Sequence, residues 1–408
     1  MRVLVVSQYY WPETFIITAE IARLRQEGIE VTVLTGKPNY PSGNVFPGYR
    51  AWGIQHEKHE GTEIVRLPIF PRGQNSAIRL MLNYLSFVLS AAFFGPFVLR
   101  GRSFETVFVY ALSPILQALP AIPIARCKRA RLVLWVQDLW PESLSATGFV
   151  KNLHVLAAVR QVVRFIYRRS DRILVQSRAF RAPVAALTDD PGKIHYVPNP
   201  VPDLRPPQTP SPEIRALADQ IGTGFSIVFA GNLGRAQALD TVMDAAGRLS
   251  DLPQVKLFLI GSGSMEPWLH DEVSRRGLSN VALPGRFPSD AMPVLLPKAS
   301  ALLVSLRAEE IFAHTVPSKL QTYFAIGRPV IAMLDGEGAA ILTEAGAGLT
   351  CPPGDAEALA LAIRTMYETS QQDRQAMGAA ARTYFEAEFA PDKITAALKR
   401  HLIAARDD

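Results

Sequence analysis

The sequence predicts an α/β protein of two doubly wound, Rossmann-like domains facing a central cleft. Three observations carry this. The first 36 residues read as strand, helix and strand. A second strand–helix series begins at Phe225. Between the two, residues 197–212 hold seven prolines, at 198, 200, 202, 206, 207, 210 and 212. Proline removes amide donors and fixes φ, so this stretch reads as a semi-rigid linker. The 408 residues exceed one core at about 150 residues per domain. The expected domains are 1–200 and 206–390, and ligands in such sheets sit at the carboxyl ends of the strands.

The elements follow in chain order. Val3-Leu4-Val5-Val6 is a short apolar, β-branched run and reads as a buried strand. Thr18 to Gly28 carries Ile21, Ala22 and Leu24 at helical spacing and stops at glycine. Glu30 to Thr35 is the second strand, and 107–110, 132–136 and 172–175 are further strand candidates. In the second half, Phe225 to Ala230 is a strand ending in Gly231-Asn232, and Lys256 to Ile260 is a strand ending in Gly261-Ser262-Gly263. Residues 301–305 and 329–333 are two more strands. Helical patterns run over 355–367 and 373–389, and a last amphipathic stretch covers Pro391 to Ala405.

Composition excludes several classes. An apolar fraction of 48% excludes a disordered chain. Two cysteines, Cys127 and Cys351, exclude a disulfide scaffold and a cysteine-rich zinc site, and suit a reducing compartment. The opening MRVLVVSQYY lacks a signal-peptide cleavage pattern, so a cytoplasmic protein is expected. A net charge of +6 with no concentrated basic stripe gives no support for nucleic-acid binding.

From Leu80 to Leu99 the chain has no charge, and Arg79, Arg100 and Arg102 flank it. The length allows a membrane span, but Asn83, Ser86, Ser90, Gly95 and Pro96 make a poor one. Two readings remain open: a buried or half-buried helix, and a monotopic helix that touches a bilayer with its arginines among the headgroups.

Several strings occur in a telling order: Gln8-Tyr9-Tyr10-Trp11-Pro12-Glu13, Thr35 to Pro41, and Trp135 to Glu142. Phe229-Ala230-Gly231-Asn232-Leu233-Gly234 follows, then Gln237, then Val316-Pro317-Ser318-Lys319-Leu320 through Gly327-Arg328-Pro329-Val330. Over nearly the whole chain the sequence resembles the family-4 glycosyltransferases of the GT-B fold. It looks closest to the subgroup of bacterial surface polysaccharide synthesis, with its N-acetyl-L-fucosamine transferases of O-antigen synthesis and relatives in colanic acid synthesis. The resemblance implies a C-terminal domain that binds a UDP-sugar and an N-terminal domain that binds the acceptor. It also implies retaining transfer without a metal and an acceptor carried on undecaprenyl diphosphate at the inner membrane face, where residues 80–102 are the candidate contact. A final helix, 391–408, returning to the first domain suits the same family.

Metal-free transfer builds charge on the leaving diphosphate, which backbone amides, helix N-termini and cations must meet. Gly231 and Asn232 follow a strand and are read as opening a helix, although such a turn needs glycine in any case. Ser318 and Lys319 stand just after Pro317, at an expected helix start, and Arg235 is a further cation. The family's arginine and lysine for the diphosphate fall at Asn232 and Gln237 here, so Arg235 and Lys319 are expected to compensate. The family's paired glutamates fall at His314 and Thr322, with Glu309 and Glu310 a few residues before. Gly261, Gly263, Arg286 and Phe287 complete the expected donor site, the last two beside the base.

In the first domain Asp138 follows a strand and so lies at the carboxyl edge of the sheet. It is the candidate to orient or deprotonate the acceptor hydroxyl, against a purely structural Asp beside Trp140. Glu13, Lys37, Asn39 and Glu142 are the other acceptor-side candidates, with Glu13 also a catalytic one. Rival readings are a UDP-sugar 2-epimerase of the same fold and a non-catalytic scaffold of a polysaccharide assembly complex. A dinucleotide dehydrogenase fits least, because the first strand leads into Gln8-Tyr9-Tyr10-Trp11 and not a glycine fingerprint.

Overall fold

The computed structural model describes residues 1–74, 76–146, 152–201 and 205–403. Pro202 of the proline-rich stretch and residues 404–408 of the last amphipathic stretch lie outside these described residues. Contacts divide the chain into two compact units. One holds Met1–Pro200 with Pro391–Asp408, the other Val201–Ala390.

The first unit is an eight-stranded sheet in the order β3-β4-β2-β1-β5-β6-β7-β8. Its strands are β1 (Arg2–Val6), β2 (Glu30–Gly36), β3 (Gln55–His59), β4 (Thr62–Leu67), β5 (Thr106–Ala111), β6 (Arg131–Val136), β7 (Arg172–Val175) and β8 (Ile194–Tyr196). All pair in parallel except β3 with β4. Val3 to Val6 are wholly buried, as a parallel strand covered on both faces must be. The first helix, α1 (Ile16–Gln26), starts two residues before its expected start. The final helix, Pro391–Ile403, buries Ile394, Leu398 and Leu402 in the core that contains Ile17, Ile21 and Leu24 of α1.

The uncharged segment is helix α2 (Ala77–Val98), capped by the Ser76 hydroxyl, which accepts from the Arg79 amide. It is two-faced. Asn83, Phe87, Ala91 and Gly95 are buried, and a Cβ at Gly95 would stand 3.0 Å from Ile124. Ile78, Met81, Leu89, Phe93 and Phe97 are exposed. The helix is thus half-buried. The helix is long and apolar enough to cross a membrane by length and composition, yet its inner face is seated in the unit's own core.

The second unit is a six-stranded parallel sheet in the order β11-β10-β9-β12-β13-β14. Its strands are β9 (Phe225–Ala230), β10 (Val255–Ile260), β11 (Val281–Gly285), β12 (Ala301–Ser305), β13 (Val330–Met333) and β14 (Gly348–Cys351). The order reverses between β9 and β12, a topological switch point where ligands of such sheets bind.

Candidate functional site

In the second unit the carboxyl ends of the strands enclose a cavity of about 570 Å³. Ala230, Gly231 and Asn232 line it after β9, Ile260, Gly261 and Ser262 after β10, and Arg286 to Ser289 after β11. Ser318, Lys319, Thr322 and Tyr323 close it from the helix Ser318–Ile326. The volume suits a nucleotide-sized ligand.

Close backbone approach explains the glycines. Gly261 has φ +150°, and a Cβ there would stand 1.8 Å from the Gly231 carbonyl oxygen. A Cβ on Gly231 would meet the Lys319 side chain at 2.5 Å. The turn leads into a short 3-10 segment, Arg235–Gln237, and the helix Leu239–Gly247 starts only after it. The expectation that Gly231-Asn232 opens a helix directly is therefore corrected. The intervening segment is stapled elsewhere: the Arg307 side chain donates to the Arg235 carbonyl at 2.6 Å and to Asp240 at 2.8 Å, and the Ser305 hydroxyl donates to the Gln237 carbonyl at 2.7 Å.

Lys319 and Arg286 are the cations that line this cavity. Pro317 occupies the cap position before its helix, so Ser318 and Lys319 open the helix as expected. The Lys319 ammonium donates to the Gln237 side-chain oxygen and lies 3.7 Å from the centre of the Phe229 ring. Burial without a carboxylate partner pulls its pKa down to about 7. Lys319 thus stands beside Gln237, the position to which the resemblance assigns a diphosphate-binding lysine.

Other donor-side candidates do not line this cavity. Arg235 is exposed and, like Gln237 and Gly263, does not line the cavity. Gly263 serves packing, since a Cβ there would stand 2.5 Å from the Leu233 carbonyl oxygen. Glu310 lines a separate cavity of about 150 Å³ with Arg307, Glu309 and Asp335, and His314 lines neither. Sequence reasoning missed Tyr323, whose hydroxyl accepts from the Ala230 amide at 2.9 Å. A lone tyrosine in an apolar helix gave no signal for it.

In the first unit the strand ends hold a buried polar network. Glu13, 3% exposed, accepts from the amides of Asn39 at 2.8 Å, Tyr40 at 2.7 Å and Tyr10 at 3.2 Å. Burial still pushes its pKa up to about 7. Asn39 is fully enclosed. Its side chain donates to the Lys37 carbonyl and accepts from the Arg72 amide and from Asn83. Lys37 is 2% exposed and donates to Gln55 at 3.1 Å, and burial lowers its pKa. Glu142 pairs with Arg160 at 3.3 Å. Glu13, Lys37 and Asn39 hold loops together and have no free face for a ligand, which corrects their reading as acceptor or catalytic groups, whereas the Glu142 side chain stays partly exposed. The same network relies on fully buried Arg66, which bonds Glu57 and the Gly36 and Trp11 carbonyls. A charge inside the run Ile64-Val65-Arg66-Leu67 was the overlooked signal.

Replacing Glu13 by alanine leaves three buried amides unpaired. At about 1–3 kcal/mol for each lost partner, the first unit is expected to lose at least about 3 kcal/mol in urea unfolding. Glutamine retains the oxygen that serves Asn39 and Tyr40 and is expected to recover most of the loss. Equal loss in both variants would refute this role.

Asp138 is different. It is half-buried and accepts from the Ser143 hydroxyl. Burial raises its pKa, against hydrogen bonds from Ser143, Trp140 and Ser113 that lower it. Near it stands Tyr84, whose pKa the Asp138 charge helps raise, and Tyr84 in turn borders a ring cluster of Tyr9, Phe15 and Tyr40. Among the described residues no group of three His, Cys, Asp or Glu side chains is placed to hold a metal ion.

Two Rossmann-like units, one with a glycine-turn cavity served by a half-buried lysine, define a GT-B glycosyltransferase. Comparison with known proteins agrees. Residues 16–200 match the family of the glycosyl transferase 4-like domain, and residues 224–369 match glycosyl transferases group 1. A glycosyl transferase named for colanic acid biosynthesis, WcaI of Escherichia coli strain K12, is 27% identical over 89% of this chain and 91% of its own. WbjE of Pseudomonas aeruginosa, named a glycosyltransferase, is 26% identical over 78% of each chain. A structure of HepE from Anabaena in complex with UDP and glucose shares the fold, with a TM-score of 0.68 at 17% identity over 99% of this chain and 100% of its own. The chain belongs to the family-4 glycosyltransferases of the GT-B fold.

Proposed function

We propose that this enzyme transfers a sugar, with retention and without a metal, from a UDP-sugar to a lipid-linked saccharide in the synthesis of a bacterial surface polysaccharide. The observation that carries the reading is Lys319, held against the Gly231 and Gly261 turns in a nucleotide-sized cavity. There an ammonium and free backbone can meet the leaving diphosphate. The names of WcaI and of the UDP-bound HepE structure support the pathway and the donor. An N-acetylated deoxy-sugar such as L-FucNAc is a donor sugar of this subgroup. The acceptor is a saccharide on undecaprenyl diphosphate, and the enzyme works on the cytoplasmic side with the exposed face of α2 against the membrane. Front-face attack, with the leaving phosphate assisting deprotonation, asks for no enzymic nucleophile.

The test is UDP binding by calorimetry, with and without EDTA and across pH. UDP is expected to bind equally in both. A diphosphate favours the ammonium form of Lys319, whose pKa is about 7 in the free protein. Binding therefore takes up a proton, and affinity falls as pH rises above about 7, by at most tenfold per pH unit. Lys319→Gln is expected to flatten that slope. In the free protein the sign is opposite. The unfolded chain holds the proton more readily between about 7 and 10.5, so the Lys319 contribution to stability rises with pH across that window. Binding abolished by EDTA would overturn the metal-free reading. Conversion of the UDP-sugar without an acceptor would favour the epimerase.

A further inference from the structure

The exposed side of α2 is also one wall of a groove. Leu82, Leu85, Leu89 and Phe93 line it from the helix. Trp52 and Ile54 line it from the loop before β3, and Phe70 from the segment after β4. Its volume is about 820 Å³, larger than the nucleotide cavity, and its walls are almost wholly apolar. Leu89, Phe93 and Trp52 are 68%, 65% and 73% exposed. A concave apolar surface this open is costly in water and marks a binding site.

One wall of the groove continues along the chain toward Asn39 and the ring cluster of Tyr9 and Tyr40. The Phe70 amide donates to the Ser86 hydroxyl at 2.8 Å, and its carbonyl accepts from Asn83 at 2.7 Å, so this segment is pinned along α2. Two residues on, the Arg72 amide donates to Asn39 at 3.1 Å, and its guanidinium stands 5.0 Å from the Tyr40 ring. Tyr9 and Tyr84 also feel its charge. Neither Arg72 nor Arg79 makes an ion pair among the described residues. An apolar trough beside unpaired cations is complementary to an anionic amphiphile.

We propose that this groove holds the polyisoprenoid chain of the lipid-linked acceptor, with Arg72 meeting the acceptor's diphosphate. The inference rests on the reading of the protein as a transferase to a lipid-linked saccharide, and it assigns the part of that substrate which the sugar-binding residues leave unassigned. The groove has walls from three segments, which one flexible chain can fill and a flat bilayer surface cannot. Ile78, Met81 and Phe97 lie outside it and remain exposed for the membrane.

The test compares one saccharide diphosphate on a long polyprenyl chain with the same saccharide diphosphate on a phenyl group, both in detergent micelles. Leu89→Asp and Trp52→Ser change exposed residues, so folding and UDP binding are expected to persist. Each is expected to raise KM for the prenyl acceptor at least tenfold and leave transfer to the phenyl acceptor unchanged. Equal effects on both acceptors, or none on either, would overturn the proposal. So would a defect confined to vesicles, which would make the face a bilayer contact only. A second readout stands apart from catalysis: geranylgeranyl diphosphate is expected to quench Trp52 fluorescence. Arg72→Ala should weaken that binding, Leu89→Asp should abolish it, and Trp52→Phe should remove the signal. If wild-type enzyme transfers to neither acceptor, the function fails. The groove then stands or falls on this titration, and absence of binding overturns it.

Discussion

Lys319→Ala is expected to lower kcat by about 10²–10³-fold, roughly 2.7–4 kcal/mol of barrier. The reason is placement. The ammonium is the cation closing the cavity beside Gly231, and it lies in a buried setting where a single charge counts for more than it does in water. Its loss falls on the transition state, where the diphosphate gains charge, more than on the bound donor. Folding should survive, because the folded protein already holds this amine at a cost shown by its lowered pKa. Lys319→Arg should recover little, since a guanidinium is too large for the space between the Gly231 turn and the Phe229 ring, where the ammonium sits 3.7 Å from the ring centre. Steady-state kinetics beside UDP calorimetry checks this. Near-wild-type turnover in the alanine variant would remove Lys319 from the site.

Asp138→Asn is expected to lower transfer by about 10²–10⁴-fold while the dissociation constant for UDP stays the same. Asparagine keeps the shape and the hydrogen bond from Ser143 but cannot orient an acceptor hydroxyl as a charged acceptor or take its proton. The separation of effects follows from the fold, because Asp138 belongs to the first unit and the cavity is lined by the second. A purely structural Asp138 predicts the reverse pattern: little kinetic change in Asp138→Asn, and a loss in thermal stability for Asp138→Ala. Weakened UDP binding in the Asn variant would contradict the division of labour between the units.

Much of the architecture is legible locally. Val3-Leu4-Val5-Val6 and Phe225 to Ala230 are apolar runs bounded by polar or glycine residues, and both are buried strands. Strand β3, Gln55–His59, is invisible to the same logic, because the sequence QHEKH has no apolar alternation. It pairs antiparallel at the sheet edge and is held by its neighbour β4. The glycines at 231 and 261 could be picked from the strand ends, but their reason is a mutual approach of two turns thirty residues apart.

The sequence by itself determined the two-unit α/β architecture, the strand ends where chemistry can occur, and Lys319 and Asp138 as candidates. These depend on side-chain period, glycine and proline positions, and residue type, all local properties. Only the tertiary structure decided what each candidate faces. Glu13, Lys37 and Asn39 look like exposed polar residues of loops, yet folding buries them in one network that joins loops after β1 and β2. Lys319 meets Gln237 across a separation of 82 residues. The apolar groove is assembled from a loop, a strand end and α2. Contacts this distant follow from how elements pack around a shared core, and no local spacing encodes them.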